Sequence, residues 1–325
     1  MIPLFCIAFI LLFAIYAQAC LPAAAFAVQQ FLYTVLPSIF PFYVASAVLM
    51  RTDFCKKLGK VCEPIMGPLF GISGKGAFAL IIGLVSGYPA GAKVTADLYQ
   101  ANEISRQDAV RLAAFTNNTG PLFLIGAVGA GMLNSARLAV LIWICHIAAA
   151  LLTGMIMRYP RAPRTAPAAE QKTLPGKRQR QKQSLSQVGR LLAEAITASI
   201  HTMLPIAGAI IFFAAFTAVL KQSCCIPLVS SLLAPVCPEG LSQGILSGFL
   251  EITGGIQSIS AVPISLTEKC AWIAFISGWA GISVHIQVIG ILSAARISCR
   301  RYILGKAVQA LIAALLTAAA VMLIY

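Results

Sequence analysis

The chain has 325 residues, of which 59% are hydrophobic and only 10% are charged, and its formal net charge is +14. Its mean hydropathy is +0.87. Because an average soluble domain carries about 25% charged residues, this composition excludes an ordinary soluble protein and predicts an all-α polytopic membrane protein.

Seven apolar stretches approach or exceed the roughly 20 residues that a helix needs to span a bilayer. In chain order they are residues 2–20, 24–50, 114–133, 138–157, 193–220, 270–292 and 303–325. We therefore predict about seven membrane-spanning helices. The first stretch ends in AQAC, which resembles a processing site, but no Lys or Arg precedes it, so we expect it to be retained.

A basic segment, residues 158–190, separates the apolar stretches into two groups. It holds nine of the 24 Lys and Arg residues and one acidic residue, Glu170. This composition predicts a disordered linker between an N-terminal half, 1–157, and a C-terminal half, 191–325. The positive-inside rule places the linker in the cytoplasm next to the lipid bilayer, and no nucleic-acid-binding module accompanies the charge.

The two halves repeat one another weakly but in the same order. Pro37 corresponds to Pro205, Gly83 corresponds to Gly248, and AALLT occurs at 149–153 and again at 313–317. Five Lys and Arg residues lie in 51–75 and one in the matching 221–240, whereas one lies in 134–137 and four in the matching 293–306. Matching loops therefore lie on opposite sides of the membrane, which predicts two inverted-topology repeats.

Each repeat contains a glycine-interrupted segment, 76–92 in the first and 241–258 in the second. An inverted repeat requires that 76–92 enter and leave the membrane from one face, although a short kinked span remains an alternative. Broken backbone at membrane depth survives only around protein or a water-filled cavity, and paired breaks in inverted halves indicate a transporter's solute site. Helix N-termini exposed at such breaks favour an anionic solute.

The candidate solute-binding residues are polar or conformationally special residues at these breaks and in two nearby apolar spans: Ser86, Gly87, Tyr88, Pro89, Lys93, Asn117, Asn118, Thr119, Glu251, Thr253, Ser283, His285 and Gln287. Glu251 is the strongest single candidate because a carboxylate is costly to bury in a membrane.

Structural roles remain open for several of these candidates. Asn117, Asn118 and Thr119 can act as helix caps. Glu251 can pair with a cation or bond to backbone as a neutral acid. His285 can relay protons or bond to a neighbouring helix.

Enzyme signatures are absent from the sequence. GISGKG at 71–76 lacks the glycine spacing and the Ser or Thr of a phosphate-binding P-loop, and no HExxH, CxxC or G-x-S-x-G motif occurs. The three histidines are far apart in sequence. We therefore expect no catalysis, cofactor or metal, and we expect any transport to be secondary or facilitated.

Four motifs resemble a known family: GLVSGYPAGAKVTADL, RLAAFTNNTGPLFLIGAVGAGML, GFLEITGGI and SGWAGISVHIQV. Their order over about residues 80–310 is similar to that in the YlbJ-type sporulation integral membrane proteins, also called stage V sporulation protein V. These belong with proteins that contain the nucleoside-recognition or Gate domain.

The resemblance implies a protein of the outer forespore membrane that helps to move dipicolinic acid, a small aromatic dianion, toward the forespore. It implies that Lys93 and the hairpin amides face the solute carboxylates, that Tyr88 faces the aromatic ring, and that Glu251 is the proton or cation partner. A nucleoside-type solute is the alternative within transporters. A non-transporting gating or assembly subunit, with a membrane partner protein, is the alternative outside them, and homo-oligomerisation stays open.

Overall fold

A computed structural model of the chain describes residues 2–158, 185–233, 235 and 237–325. The central part of the predicted linker, residues 159–184, lies outside the described residues. Residues 185–190, which the composition assigned to the linker, already belong to the first turns of a long helix. All regular structure in the described part of the chain is helical, as the apolar composition predicts.

The N-terminal half contains eight α-helices, which are α1 (Ile2–Ile15), α2 (Ala17–Gln30), α3 (Leu36–Met50), α4 (Phe54–Phe70), α5 (Ala77–Ser86), α6 (Ala90–Gln100), α7 (Arg106–Ala113) and α8 (Ala136–Ile156). One π-helical turn, Phe31–Val35, joins α2 to α3, and a short 3₁₀ turn, Gly74–Gly76, precedes α5. A second π-helix, Leu122–Met132, follows a non-helical break after α7.

The C-terminal half contains α9 (Leu185–Gln222), α10 (Cys225–Leu233), α11 (Glu239–Leu250), α12 (Ile252–Ala261), α13 (Leu266–Trp279), α14 (Gly281–Ala294) and α15 (Arg300–Ile324). Both halves therefore run through the same order of elements. A long helix is followed by a short helix, a helical hairpin, a broken helix and a final helix. The hairpins are α5–α6 and α11–α12.

Five described helices are long and apolar enough to cross a membrane: Ala17–Met50, Ala136–Ile156, Val188–Gln222, Leu266–Ala294 and Arg300–Ile324. A sixth arises if the pair Phe54–Phe70 and Gly74–Ser86, bent by 96°, counts as one span. Their apolar side chains face outward, as at Leu315 and Leu323, which are 71% and 86% exposed. This arrangement is that of a polytopic membrane protein.

Two of the seven predicted spans are shorter in the structure. The stretch 2–20 is divided at Tyr16, and the apolar helix within it covers Pro3–Ile15. In the stretch 114–133 the residues before Pro121 are not helical, and only Leu122–Met132 forms an apolar helix. Hydropathy alone overestimates the length of both spans because it does not show where the backbone stops being helical.

The bases of the two hairpins lie at opposite ends of α9. Arg51, at the end of α3, forms an ion pair with Glu194 near the start of α9, with 2.5 Å between Nη1 and Oε2. The α4 helix that follows Arg51 packs against Gly74, directly before the first hairpin. At the other end of α9, the Ser230 hydroxyl of α10 lies 2.5 Å from the Ser242 hydroxyl of the second hairpin. The hairpins thus approach each other from opposite ends, as an inverted repeat predicts.

Each hairpin is closed by a pair of glycines. A Cβ atom added to Gly83 would lie 3.1 Å from the Gly91 Cα, and one added to Gly255 would lie 2.1 Å from the Gly248 Cα. Small residues allow such close backbone approach, which supplies the packing between helices in lipid. Gly83 and Gly248, matched by the sequence repeat, therefore hold the same position in the two hairpins.

The arrangement predicts opposite sidedness for Lys57 of α4 and Ser231 of α10, both of which are exposed. We expect single cysteines at these positions, in a protein whose exposed native cysteines are serine, to react with a membrane-impermeant thiol reagent from opposite faces of oriented vesicles. Labelling of both from the same face would contradict the inverted arrangement. The control is the same protein with its exposed native cysteines replaced by serine and no cysteine added.

Candidate functional site

The tip of the first hairpin is a sharp turn seated on the break after α7. The α5 helix ends at Ser86, and α6 begins at Ala90 after a cis Tyr88–Pro89 peptide bond. Gly87 has φ of +87°, a region that favours glycine, and an added Cβ would lie 2.7 Å from the Gly120 backbone nitrogen. The glycine therefore allows the tip to lie directly against the break.

The tip of the second hairpin is formed by Glu251, which separates α11 from α12. Its backbone is extended, and its carboxylate accepts hydrogen bonds from the backbone N–H groups of Thr253 at 2.9 Å and Gly254 at 2.8 Å. A carboxylate at this place caps the helix and complements its positive end. The first amides of α12, which the sequence assigned to an anionic solute, are thus bonded to the protein's own carboxylate.

The two tips enclose one cavity, with a volume of about 110 Å³, which we call the central cavity. A water molecule needs about 10–15 Å³ of such space, so the central cavity has room for several waters or a small solute. Eight of the thirteen predicted site residues line it: Ser86, Gly87, Tyr88, Thr119, Glu251, Thr253, Ser283 and Gln287. The structure therefore brings together residues from both halves that are up to about 200 positions apart in sequence.

Sequence reasoning missed one wall of the central cavity. Gln30, Thr34 and Ser38 line it from the continuous helix α2–α3. Their spacing of four places them on one side of a helix. A row of polar residues at helical spacing within the apolar stretch 24–50 was the available signal.

The central cavity has a largely apolar wall with several polar groups and a single acidic side chain. Glu251 is the only Asp, Glu, Lys, Arg or His among its described lining residues. The Ser86 hydroxyl is buried and has no hydrogen-bond partner within the described protein. Isoleucines at 39, 206 and 210 supply apolar wall. Such a lining can hold a partly aromatic or apolar solute while offering it hydroxyl, amide and carboxylate groups.

Five predicted site residues lie outside the central cavity: Pro89, Lys93, Asn117, Asn118 and His285. Lys93 forms an ion pair with Asp97 one turn along α6, and both line a neighbouring cavity of about 450 Å³. Lys93 therefore lies outside the central cavity in this geometry, and its contact with solute carboxylates stays a prediction. His285 instead bonds through Nδ1 to the Tyr302 hydroxyl at 2.8 Å.

Asn117 and Asn118 belong to a buried polar network around the break after α7. Asn117 accepts through Oδ1 from the Ala92 backbone N–H at 2.9 Å, so it caps α6 rather than a helix of its own. Asn118 accepts through Oδ1 from the Gln309 side chain at 2.8 Å. Thr119 donates its backbone N–H to His146 Nε2 at 3.1 Å.

Lys306 of α15 completes this network. Its side chain is 0% exposed and donates to the Asn117 backbone carbonyl at 2.9 Å and to Gln309 Oε1 at 3.0 Å. No ion pair of Lys306 occurs among the described residues. The Lys306 amine of the last helix thus donates to a backbone carbonyl that the break in the first half leaves free. A lysine within the terminal apolar stretch was the sequence signal for it.

Clusters of three or more His, Cys, Asp or Glu residues that could hold a metal ion do not occur in the described ranges. All cysteines are free, including Cys224, Cys225 and Cys237 near α10. The chemistry that this arrangement supports is solute binding at the hairpin tips.

Comparison with known proteins agrees with the motif series. The YlbJ sporulation integral membrane protein of Bacillus subtilis (strain 168) is 35% identical over 314 residues, which cover 91% of this chain and 76% of that protein. The chain belongs to the YlbJ family. A family model named Gate and described as nucleoside recognition matches residues 32–158. The residues that match the Gate model contain the whole first hairpin and the break on which its tip lies. No solved structure matches the chain.

Proposed function

We propose that this YlbJ-family protein is a secondary or facilitated transporter, and that the central cavity is its solute site. The observation that carries the proposal is that two hairpins from opposite ends of the molecule place their tips around one cavity with several polar groups. Non-helical backbone at membrane depth survives only around protein or a water-filled cavity, and paired broken segments from inverted halves are the usual architecture of a midplane solute site. The sporulation role of the curated relative supports a function during sporulation.

Dipicolinic acid is the first solute that we propose, at the outer forespore membrane. Tyr88 and the apolar wall suit its aromatic ring, and the Ser86 hydroxyl and Gln287 amide suit its carboxylates. Glu251 carries a negative charge in the same cavity, and like charges in a low-dielectric site oppose each other. We therefore propose that Glu251 is the proton or cation partner of the dianion, which would couple its uptake to that ion.

A nucleoside-type solute is the second candidate, because the lining contains one carboxylate and no cationic side chain. A neutral ring with several hydroxyls would meet no electrostatic penalty at Glu251. The Gate family model described as nucleoside recognition supports the same class. Uptake of a neutral nucleoside-type solute would therefore not require a partner ion at Glu251.

Uptake by proteoliposomes that contain the purified protein tests the proposal. We expect saturable uptake of labelled dipicolinate. Glu251→Gln keeps a hydrogen-bond acceptor for α12 but removes the carboxylate that would hold the partner ion, so we expect about tenfold lower uptake. Glu239→Gln, at the exposed base of the same hairpin, is the matched control and should transport normally.

The competing functions give different results in the same assay. Competition by nucleosides, together with nucleoside uptake that Glu251→Gln leaves unchanged, would replace dipicolinate by a neutral solute. Absence of uptake of either solute by folded protein would reject transport by this chain alone and support a gating or assembly subunit that requires a membrane partner.

A further inference from the structure

Three cavities follow one another along α9. The central cavity shares Ile206 and Gln287 with the cavity that contains Lys93 and Asp97, which we call the Lys93 cavity. It shares Ile210 and Glu251 with a third cavity of about 180 Å³, which contains Lys221 and which we call the Lys221 cavity. The central cavity is therefore bordered on two sides by further space.

The shared wall of all three cavities is a single row of α9 residues spaced by four. Thr202 lines the Lys93 cavity, Ile206 lines the Lys93 and central cavities, Ile210 lines the central and Lys221 cavities, and Ala214 and Ala218 line the Lys221 cavity. Residues four apart are neighbours on a helix surface, so the row runs along α9 and winds gradually around it. The cavities thus occur in sequence order along this row.

The part of α9 that lines the three cavities matches the thickness of a membrane. His201 lines the Lys93 cavity and Lys221 lines the third cavity, and these two residues are 20 positions apart. At 1.5 Å per residue they are separated by about 30 Å along the helix axis, which is about the thickness of the hydrocarbon core. Ile206 and Ile210, which border the central cavity, lie about a quarter and about half of that distance from His201.

Charge and hairpin geometry distinguish the two ends. The Lys93 cavity lies on the side of the first hairpin, whose base is joined by the ion pair between Lys75 and Glu103. The Lys221 cavity lies at the end of α9 that leads to the base of the second hairpin. Each end presents a lysine to an anionic solute, with Asp97 beside Lys93 at one end and Glu251 in the same cavity as Lys221 at the other.

We propose that solute crosses the membrane along this row of α9 residues. Ile206 and Ile210 then form the constrictions on either side of the central cavity. The inference rests on the proposed transport function, and it adds a route, its two end sites and its constrictions. Ile206 is well placed for this role because it packs in a cluster with Phe31, Ile39 and Tyr43. Lys93, which does not reach the central cavity, acts at one end of the route.

Water accessibility of cysteines along α9 tests the route without reference to any solute. Six native cysteines that are not buried would be replaced by serine, and the four buried ones retained; those replaced are Cys6, Cys62, Cys224, Cys225, Cys237 and Cys299. Single cysteines would then be placed on the row, at Thr202, Ala214 and Ala218. Leu204 and Phe212, which are 62% and 42% exposed and lie off the row, are the lipid-facing controls.

We expect a charged, membrane-impermeant methanethiosulfonate to label the row positions at least about tenfold faster than the controls, because the reagent requires a water-filled path. Thr202→Cys should react from the side of the first hairpin base, and Ala214→Cys and Ala218→Cys from the opposite side. Dipicolinate or a nucleoside, whichever is taken up, should slow the labelling.

Equal labelling rates on and off the row would overturn the route even if uptake occurs. Labelling of all three row positions from the same side would overturn it as well. Fast labelling of the row from the expected sides, without uptake of either solute, would support the water-filled route and reject the proposed solutes. The two proposals therefore fail by different results.

Discussion

Replacement of Gly255 by alanine is expected to destabilise the protein by about 3 kcal/mol and to lower its melting temperature by about 5–10 °C. The added Cβ would lie 2.1 Å from the Gly248 Cα and 2.4 Å from the Gly248 backbone nitrogen. Since both obstacles are backbone atoms, no side-chain rotation can relieve the overlap. The two helices of the second hairpin must move apart, which displaces Glu251 at the tip. Thermal unfolding of detergent-solubilised protein measures the effect.

Gly208→Ala is the matched control for this prediction. Gly208 also lies within a helix, α9, but no heavy atom lies within 4 Å of the position its Cβ would take. Alanine has a higher helix propensity than glycine, so the melting temperature should stay unchanged or rise slightly. Equal destabilisation by both substitutions would contradict the assignment of Gly255 to a close backbone contact.

The second large effect is expected for Gln309→Leu, which keeps the approximate volume of the side chain and removes its polar atoms. Gln309 accepts from Lys306 at 3.0 Å, bonds to Asn118 at 2.8 Å and approaches His146 Nε2 at 3.3 Å, and all four residues are 0% exposed. Leucine leaves these partners unsatisfied in a buried site. We expect a loss of about 2–4 kcal/mol in the free energy of unfolding, together with loss of solute uptake.

Ser247→Ala is the control that distinguishes loss of the Gln309 hydrogen bonds from loss of a single buried polar group. The Ser247 hydroxyl is also buried but has no hydrogen-bond partner within the described residues. Its removal should therefore be neutral or slightly stabilising. If Gln309→Leu unfolds at the same temperature as the unsubstituted protein, the hydrogen bonds between α15 and the break do not stabilise the fold.

Much of the fold follows from local features of the sequence. The stretches that became α8, α9 and α15 are recognisable because a run of apolar residues near 20 is long enough to span a bilayer in a helix. Gly83 and Gly248 mark the two hairpins because each lies where the two helices of its hairpin approach closely. Only a very small side chain fits there. The charge bias of matching loops predicts opposite orientation, which agrees with the positions of the hairpin bases.

Features that depend on distant partners were not predictable in the same way. The stretch 114–133 reads as one apolar span, yet its first residues leave the helix because Ala92, His146 and Lys306 satisfy the polar groups that the break exposes. Lys93 reads as a ligand for an anion, yet Asp97 lies one turn away and pairs with it. The break is not encoded in the spacing of neighbouring residues, whereas the ion pair is, because residues four apart are neighbours on a helix.

The sequence by itself therefore determined that the chain is a helical membrane protein of two related halves with paired broken segments, because apolar length, glycine position and charge bias act locally. Only the tertiary structure decided which polar groups meet. It brought the two hairpin tips to one cavity, brought α15 to the break after α7, and aligned three cavities along α9. These contacts join residues distant in sequence, and their energy depends on whether each buried polar group finds a partner in the folded protein.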